Sequence, residues 1–527
     1  MSLTRFIYLF LLSLAAFSCT EDLPDGEYTL ELYSHGDLHG RFFSTLPRIS
    51  TIIGEARNNS GREGVMFIDL GDHNHGSDAA YYFNRIYDYP DNTDHIYSRL
   101  ANELGYDAIV VGNHDIEAGC SIFNKIKEEL KMPYLGANVL DNSSSYPYLQ
   151  PYTVIDKQGI KVAVIGFTTP SVELWVGKEK MNGIRIEKIH RMADSLVQHV
   201  NSVENPHFTI LALHSGSGNG SSSDYENVAS YLASNIKGVD LILSAHDHLS
   251  NVADIEGIYI VNSGPYGNIL DKTTIELKIE DGKVLNKDIS VEEINTKGVL
   301  PDSSFLGLFS REIKLAEDFS NTSLGIIDSE IDPKLILGAP CTYSNLLHYV
   351  QLQESGADIS FVSPTKFTGT IDVGNVTYGD ILELYPFENT LYTVSMTGIQ
   401  IKKYLEETYS IFNSTGKVVG KPYMFDCAGG LKYEITLSKP VGERVEILSF
   451  TDGTLFDLNS TYKAAMVSYR ANGGGELLQK ATGLEPSQLD SIILQRSSDI
   501  RDLLFQFLKS GKPLSVTDGI ADWQIIY

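Results

Sequence analysis

The stretch Tyr28-Thr29-Leu30-Glu31-Leu32-Tyr33-Ser34-His35-Gly36-Asp37-Leu38-His39 decides how the first half of the chain is read. It opens as a β-rich run and closes as a polar turn in which a carboxylate and an imidazole are one residue apart. The same arrangement recurs down the chain. β-rich runs at 65–70, 108–111, 208–213 and 239–243 are followed by Gly71-Asp72, Gly112-Asn113-His114-Asp115, His214 and His246-Asp247-His248, and a further run lies at 162–167. Such runs separated by helical stretches predict strands buried in a layered α/β sheet. In such folds functional groups collect at the carboxyl ends of the strands.

Imidazole, carboxylate and carboxamide donors without thiolates suit borderline divalent metals such as Zn, Mn, Fe or Co, not a closed cysteine-type zinc site. Asp37 and His39 alternate along an extended chain, so both can face one metal. Holding two cations roughly 4 Å apart needs a bridging carboxylate, and Asp72 is the best placed candidate. Gly71 beside it permits close backbone approach. Asn113, His214, His246 and His248 complete two coordination spheres. Two divalent ions are therefore the expected cofactors, and phosphate-ester hydrolysis is the chemistry such a pair serves. His114 is expected to contact the phosphate or protonate the leaving group, with Glu117 or Asp115 orienting its ring. His35, His73 and His75 are expected behind the ligands or at the surface.

At 527 residues the chain exceeds the roughly 250–300 at which one core stops growing, so two domains are expected. The formal charge of −27 repels a phosphate backbone and argues against a nucleic-acid polymer as partner. Residues 1–18 read as a signal peptide, and Leu14-Ala15-Ala16-Phe17-Ser18-Cys19 resembles a bacterial lipoprotein box that would attach the chain to a membrane through a lipid on Cys19. Residues 19–27 then form a tether, and the expected localisation is the periplasm or the cell surface. Cys120, Cys341 and Cys427 allow one disulfide at most, and the oligomeric state is left open.

A first domain carrying these candidate ligands is expected over 28–298, a linker helix within 299–321 with its periodic core at 303–319, and a smaller α/β domain over 322–527. In the latter, helices are predicted at 343–353, 378–384 and 398–408 and strands at 359–362, 391–396, 430–436 and 444–450.

Taken together, Asp37-Leu38-His39-Gly40, Gly71-Asp72, Gly112-Asn113-His114-Asp115, His214-Ser215-Gly216 and His246-Asp247-His248 resemble the calcineurin-like metallophosphoesterases, and more narrowly the bacterial 5'-nucleotidase and UDP-sugar hydrolase family. The resemblance implies a four-layer β-sandwich flanked by helices. It places Asp37, His39, Asp72 and His248 around one metal, and Asp72, Asn113, His214 and His246 around the other. His114 with Glu117 falls on the family's catalytic pair. Ser344-Asn345-Leu346, Tyr385-Pro386-Phe387-Glu388-Asn389-Thr390-Leu391 and Ala471-Asn472-Gly473-Gly474 extend the likeness to a nucleotide-recognition domain, whose base-stacking rings would be Phe425 and Tyr469. Two loops depart from the family. Ser363-Pro364-Thr365-Lys366-Phe367-Thr368 lacks the substrate-holding arginine, for which Lys366 is the available substitute, and Gly473-Gly474-Gly475-Glu476 lacks the ribose-binding aspartate. The expected reaction is hydrolysis of nucleoside 5'-monophosphates. The alternatives are a cyclic-nucleotide, nucleotide-sugar or non-nucleotide phosphoesterase, and a non-catalytic ligand-binding lipoprotein.

Overall fold

The computed structural model describes residues 23–144, 146–176, 181 and 183–527. The expected signal peptide, Cys19 and most of the tether lie outside the described residues. Two six-stranded sheets form the N-terminal half. One runs, edge to edge, Lys283–Asn295, Ile269–Glu280, Gly26–His35, Val65–Asp69, Ala108–Val110 and Tyr134–Leu135; the other runs Ser250–Ile255, Ile258–Ser263, Leu241–Ser244, Phe208–His214, Ile160–Thr168 and Tyr152–Lys157.

Val65–Asp69 and Phe208–His214 are buried at every position, because both faces of their sheets are covered. Leu30, Leu32, Val164, Ile210 and Leu243 fill the space between the sheets. On the outside, helix Leu46–Ser60 packs its Ile49 and Ile53 against one sheet, and helix Ile189–Glu204 packs Ala193, Val197 and Val200 against the other. The result is the expected four layers, helix, sheet, sheet, helix. The six strands read from the sequence are all present, and their parallel pairing brings the turns after them to one end.

A single connecting helix over 303–319 was expected, and the chain instead makes two, Ser303–Leu308 and Ser310–Ser320. Phe309 interrupts them at φ −112 and ψ 15. Its ring packs on Phe305, 5.1 Å between centroids, and burial of both rings in the N-terminal core outweighs helical continuity.

The C-terminal half has a second core around a five-stranded sheet ordered Cys427–Gly429, Ile359–Val362, Thr461–Val467, Thr390–Thr397 and Ile493–Asp499. Helices Thr342–Ser355, Tyr378–Leu384 and Gly398–Thr408 form where their periodicity placed them. Thr377 and Thr397 cap the latter two, each hydroxyl accepting a backbone N–H in the first turn. Cys120, Cys341 and Cys427 are free thiols, so the one disulfide left open in the sequence does not form among them.

Candidate metal centre

The carboxyl-end turns knit into one another before any side chain is considered. Asp37 N–H donates to the Gly71 carbonyl, and His39 N–H donates to that of Asp72, both at 2.9 Å. The approach of the 71–72 and 112–113 turns is equally close: a Cβ on Gly71 would lie 2.5 Å from the Gly112 nitrogen, and one on Gly112 would lie 2.1 Å from Asp72 Oδ1. Of the twelve described non-glycine residues at positive φ, five are expected ligands, Asp37, His39, Asp72, His246 and His248. Conformations this rarely populated persist where surrounding contacts impose them, and they cluster at functional sites.

The side chains converge. His39 Nε2 and His248 Nε2 are 2.9 Å apart, with Asp37 Oδ1 at 3.9 Å from the first and 3.7 Å from the second. His214 Nε2 lies 3.1 Å from both Asp72 Oδ2 and Asn113 Oδ1, and 4.0 Å from Asp37 Oδ1. His246 joins Asp72 and His214 in a second donor group beside the first. All seven expected ligands therefore meet at one place. Asp37 reaches both donor groups, a bridging position the sequence reading gave to Asp72 alone.

A divalent cation fits this arrangement for two structural reasons. Two imidazole nitrogens aim at one point, which is tolerable only with a proton or a cation between them. Asp37 Oδ1, in a side chain wholly buried, has no hydrogen-bond partner. Burial and the neighbouring His114 hold His39 well below the ordinary histidine range, leaving its lone pair available as a ligand. Burial penalises the Asp72 carboxylate, but His214 and His114 outweigh it and hold Asp72 well below the usual carboxylate range. His214 is turned by its Nδ1, 2.8 Å from the Leu70 carbonyl, so that Nε2 faces the site.

His114 Nδ1 is 2.6 Å from Glu117 Oε2. Burial disfavours its charged form, yet the Glu117 and Asp72 carboxylates prevail and push its pKa up to about 10. Glu117, not Asp115, is therefore the ring's orienting partner. Asp115 accepts the backbone N–H groups of Asp72, His73 and Gly112 at 3.0, 3.1 and 2.8 Å, locking the two turns together. A carboxylate three residues from a turn glycine can cap that turn, which is the signal by which this role could have been read.

His35, His73 and His75 are all buried. His35 hydrogen-bonds the Tyr106 hydroxyl and His73 stacks on Tyr97, 3.5 Å between centroids, so these two sit behind the ligands as expected. His75 is closer in. Its ring stacks parallel on His114 at 4.3 Å, and its Nε2 accepts the Glu388 N–H at 3.0 Å. Glu226 Oε1, 3.2 Å from His246 Nε2, and Trp175, stacked on His246 at 5.5 Å, also border the site. Nothing in their local sequence marks them, because each is brought in by tertiary contact alone.

The C-terminal domain closes over this end. Glu388 pairs with Arg85 at 2.6 Å and Arg501 at 3.0 Å, and Tyr81 donates to Asp502 at 2.8 Å. Tyr469 lies 6.4 Å from Trp175, facing the metal-binding end. Phe425 departs from expectation. Its ring is fully buried between Tyr409, Phe412 and Trp523, in edge-to-face or tilted contact with each, and presents no free face to a base. Lys366 is half-buried, with its ammonium 3.8 Å from Glu383. Glu476 turns to Lys480 at 3.5 Å. Arg470 is wholly buried and grips Asp426 through Nε at 3.1 Å and Nη2 at 2.9 Å, and its Nη1 fills the space that a side chain at Gly475 would need, so it holds the C-terminal domain together and does not replace the arginine absent from 363–368.

This frame and donor set define a calcineurin-like phosphoesterase domain, and residues 35–250 match the family model of that description. Residues 335–482 match the model of the 5'-nucleotidase C-terminal domain. With both halves in place, the chain joins a calcineurin-like phosphoesterase domain to a 5'-nucleotidase C-terminal domain, and it is a phosphoester hydrolase. It is 25% identical to a 2',3'-cyclic-nucleotide 2'-phosphodiesterase/3'-nucleotidase of Salmonella typhimurium, over 81% of this chain and 77% of the relative. It is 23% identical to a 5'-nucleotidase of Vibrio vulnificus, over 95% of this chain and 94% of the relative. A Staphylococcus aureus chain described as a candidate 5'-nucleotidase and solved with α-ketoglutarate superposes with a TM-score of 0.80, at 20% identity, covering 94% of this chain and 99% of that one.

Proposed function

We propose that the protein hydrolyses nucleoside 5'-monophosphates outside the cytoplasm, with two divalent ions held by Asp37, His39 and His248 on one side and Asp72, Asn113, His214 and His246 on the other. The observation that carries this reading is the convergence of those seven donors beside the His114–Glu117 pair. Divalent ions there would supply an acidified water and neutralise phosphoryl charge.

The chain's own residues do the rest. Glu117 fixes His114 through Nδ1, so Nε2–H is free to donate to a phosphoryl oxygen and to pass its proton to the departing sugar oxygen. His75, stacked on His114, limits tilting of that ring and excludes water from one face. Asp115 holds the turns that carry Asp72 and Asn113 in register. Tyr469, beside Trp175, offers the organic half of the substrate an aromatic wall. Residues 1–18 direct export and Cys19 carries the membrane anchor in this reading.

Burial of Phe425 favours a second reading with the same chemistry. Without a two-ring base clamp, cyclic nucleotides, nucleotide sugars or simple aryl phosphates become competitive substrates. Phosphate release from AMP, 2',3'-cyclic AMP, UDP-glucose and an aryl phosphate, by metal-loaded protein, separates the two. A tenfold or greater preference in kcat/KM for AMP is expected. Equal efficiency on AMP and the aryl ester would reject the nucleotide assignment.

A further inference from the structure

A surface cavity of about 380 Å³ opens beside the metal centre, and three cations line it: Arg41, Arg48 and Lys297. No carboxylate lines it, and among the described residues none of the three cations has an ion-pair partner. In a chain of net charge −27, a concave site with only positive charge is the opposite of what composition alone would place there.

The site is organised before any ligand arrives. The Arg48 guanidinium is fixed by backbone carbonyls, with Nε donating to Ser44 at 3.2 Å and Nη1 to Lys297 at 3.0 Å and Val299 at 2.7 Å. Those contacts hold the side chain without neutralising it, so its charge remains for an anion. Helix Leu46–Ser60 begins at the cavity wall. Its N-cap residue, Thr45, makes no capping bond to the helix and instead donates to the Tyr266 carbonyl at 3.1 Å, and no acidic residue lies in the first turn. The positive end of the helix therefore adds to the three cations.

Tyr266 connects this cavity to the metal centre. It is held at φ 67, and its N–H donates to the Asp37 carbonyl at 2.7 Å. Its ring lies 5.8 Å from His39 and 6.0 Å from His248, while Arg41 sits over the ring at 4.8 Å. The cavity and the metal-donor cluster are therefore neighbours that share Tyr266, which lines the first and touches His39 and His248 of the second.

We infer that this cavity is an accessory subsite for a second phosphate group, and that it suits nucleosides carrying phosphates on two different hydroxyls. The substrate part of this inference rests on the proposed phosphomonoesterase activity; the binding of phosphate by the cavity does not. The ligand chemistry is a phosphate dianion, and free orthophosphate could supply it as well as a substrate.

The test uses metal-loaded full-length protein with Lys297→Glu and Arg41→Gln, both exposed positions. The ratio of kcat/KM for adenosine 3',5'-bisphosphate over AMP should exceed one in the wild type and fall about tenfold in each variant, mostly through KM, the size of one charge-assisted contact. Thermal stabilisation by the bisphosphate and by orthophosphate, measured in parallel, reads binding even if no ester is turned over. Reduced stabilisation by orthophosphate in the variants, with the substrate ratio unchanged, would support the cavity as a free-phosphate site and reject the bisphosphate subsite. An unchanged ratio and unchanged stabilisation by both ligands in both variants would overturn the inference.

Discussion

Replacing Glu117 by Gln tests the chemistry at the side chain on which it depends most. The substitution keeps the shape of the residue 2.6 Å from His114 Nδ1 but removes its charge, and the new amide can present either its oxygen or its NH2 to the ring. A charge-assisted hydrogen bond of this kind contributes about 1.5–3 kcal/mol, so losing it should cost roughly 10- to 150-fold in kcat. General acid catalysis by a positioned imidazole contributes on the order of 100- to 10,000-fold, so the effect falls at the lower end of what complete loss of His114 would produce. The measurement is steady-state phosphate release from AMP and from an aryl phosphate with an acidic phenol as leaving group. AMP turnover should fall by the larger factor, because a sugar alkoxide needs a proton on leaving and the phenolate does not. KM should move little, since the pair acts on departure more than on binding. A kcat for AMP within twofold of wild type, or equal losses on both substrates, would refute the role given to His114 and Glu117.

Other consequences follow from contacts elsewhere. Gly112→Ala drives a Cβ to 2.1 Å from Asp72 Oδ1, so metal content measured by elemental analysis should drop together with activity while circular dichroism stays native. Arg470→Ala leaves Asp426 as an unpaired buried carboxylate and should lower unfolding stability by about 3–5 kcal/mol in denaturant titration, the usual cost of breaking a buried pair. Asp271 is pushed up to about 8 by burial and by Glu293 across the strand pair, with both carboxylate oxygens unpartnered. Its folded-state pKa lies above its unfolded value, so the folded state binds the extra proton between about pH 4 and 8 and stability falls as pH rises through that window. Asp271→Asn should therefore unfold at a higher temperature than wild type at pH 8, with the difference shrinking toward pH 5.

The fold was legible where strands are buried on both faces, because continuous apolar runs such as Phe208–His214 stand out against their polar ends. Less legible was the hairpin Ile269–Glu280 with Lys283–Asn295, whose outer strand is largely exposed and charged and so lacks an apolar signature. The convergence of the seven proposed ligands could be read because each lies at or just after a strand's carboxyl end, so one-dimensional position predicted that they would meet. Glu226, Trp175 and Tyr266 reach the site through tertiary contacts with no local pattern behind them, whereas His75, expected behind the ligands or at the surface, stacks directly on His114. Phe425 shows the limit of carrying a role by motif: its place in the chain fits a stacking ring, but Tyr409, Phe412 and Trp523 surround it and leave no face free. The Arg470–Asp426 pair was not legible for the converse reason, since the two residues are far apart in the chain and only the fold brings them together.

The most direct test of the central claim is metal stoichiometry measured together with AMP hydrolysis, for the wild type and Asp72→Ala, after chelation and stepwise return of Mn, Zn or Co. The account predicts no turnover in the stripped protein, recovery that saturates at two ions per chain, and loss of both the second ion and the activity in Asp72→Ala. Hydrolysis that survives complete chelation, or an Asp72→Ala protein that turns over AMP like the wild type, would contradict it.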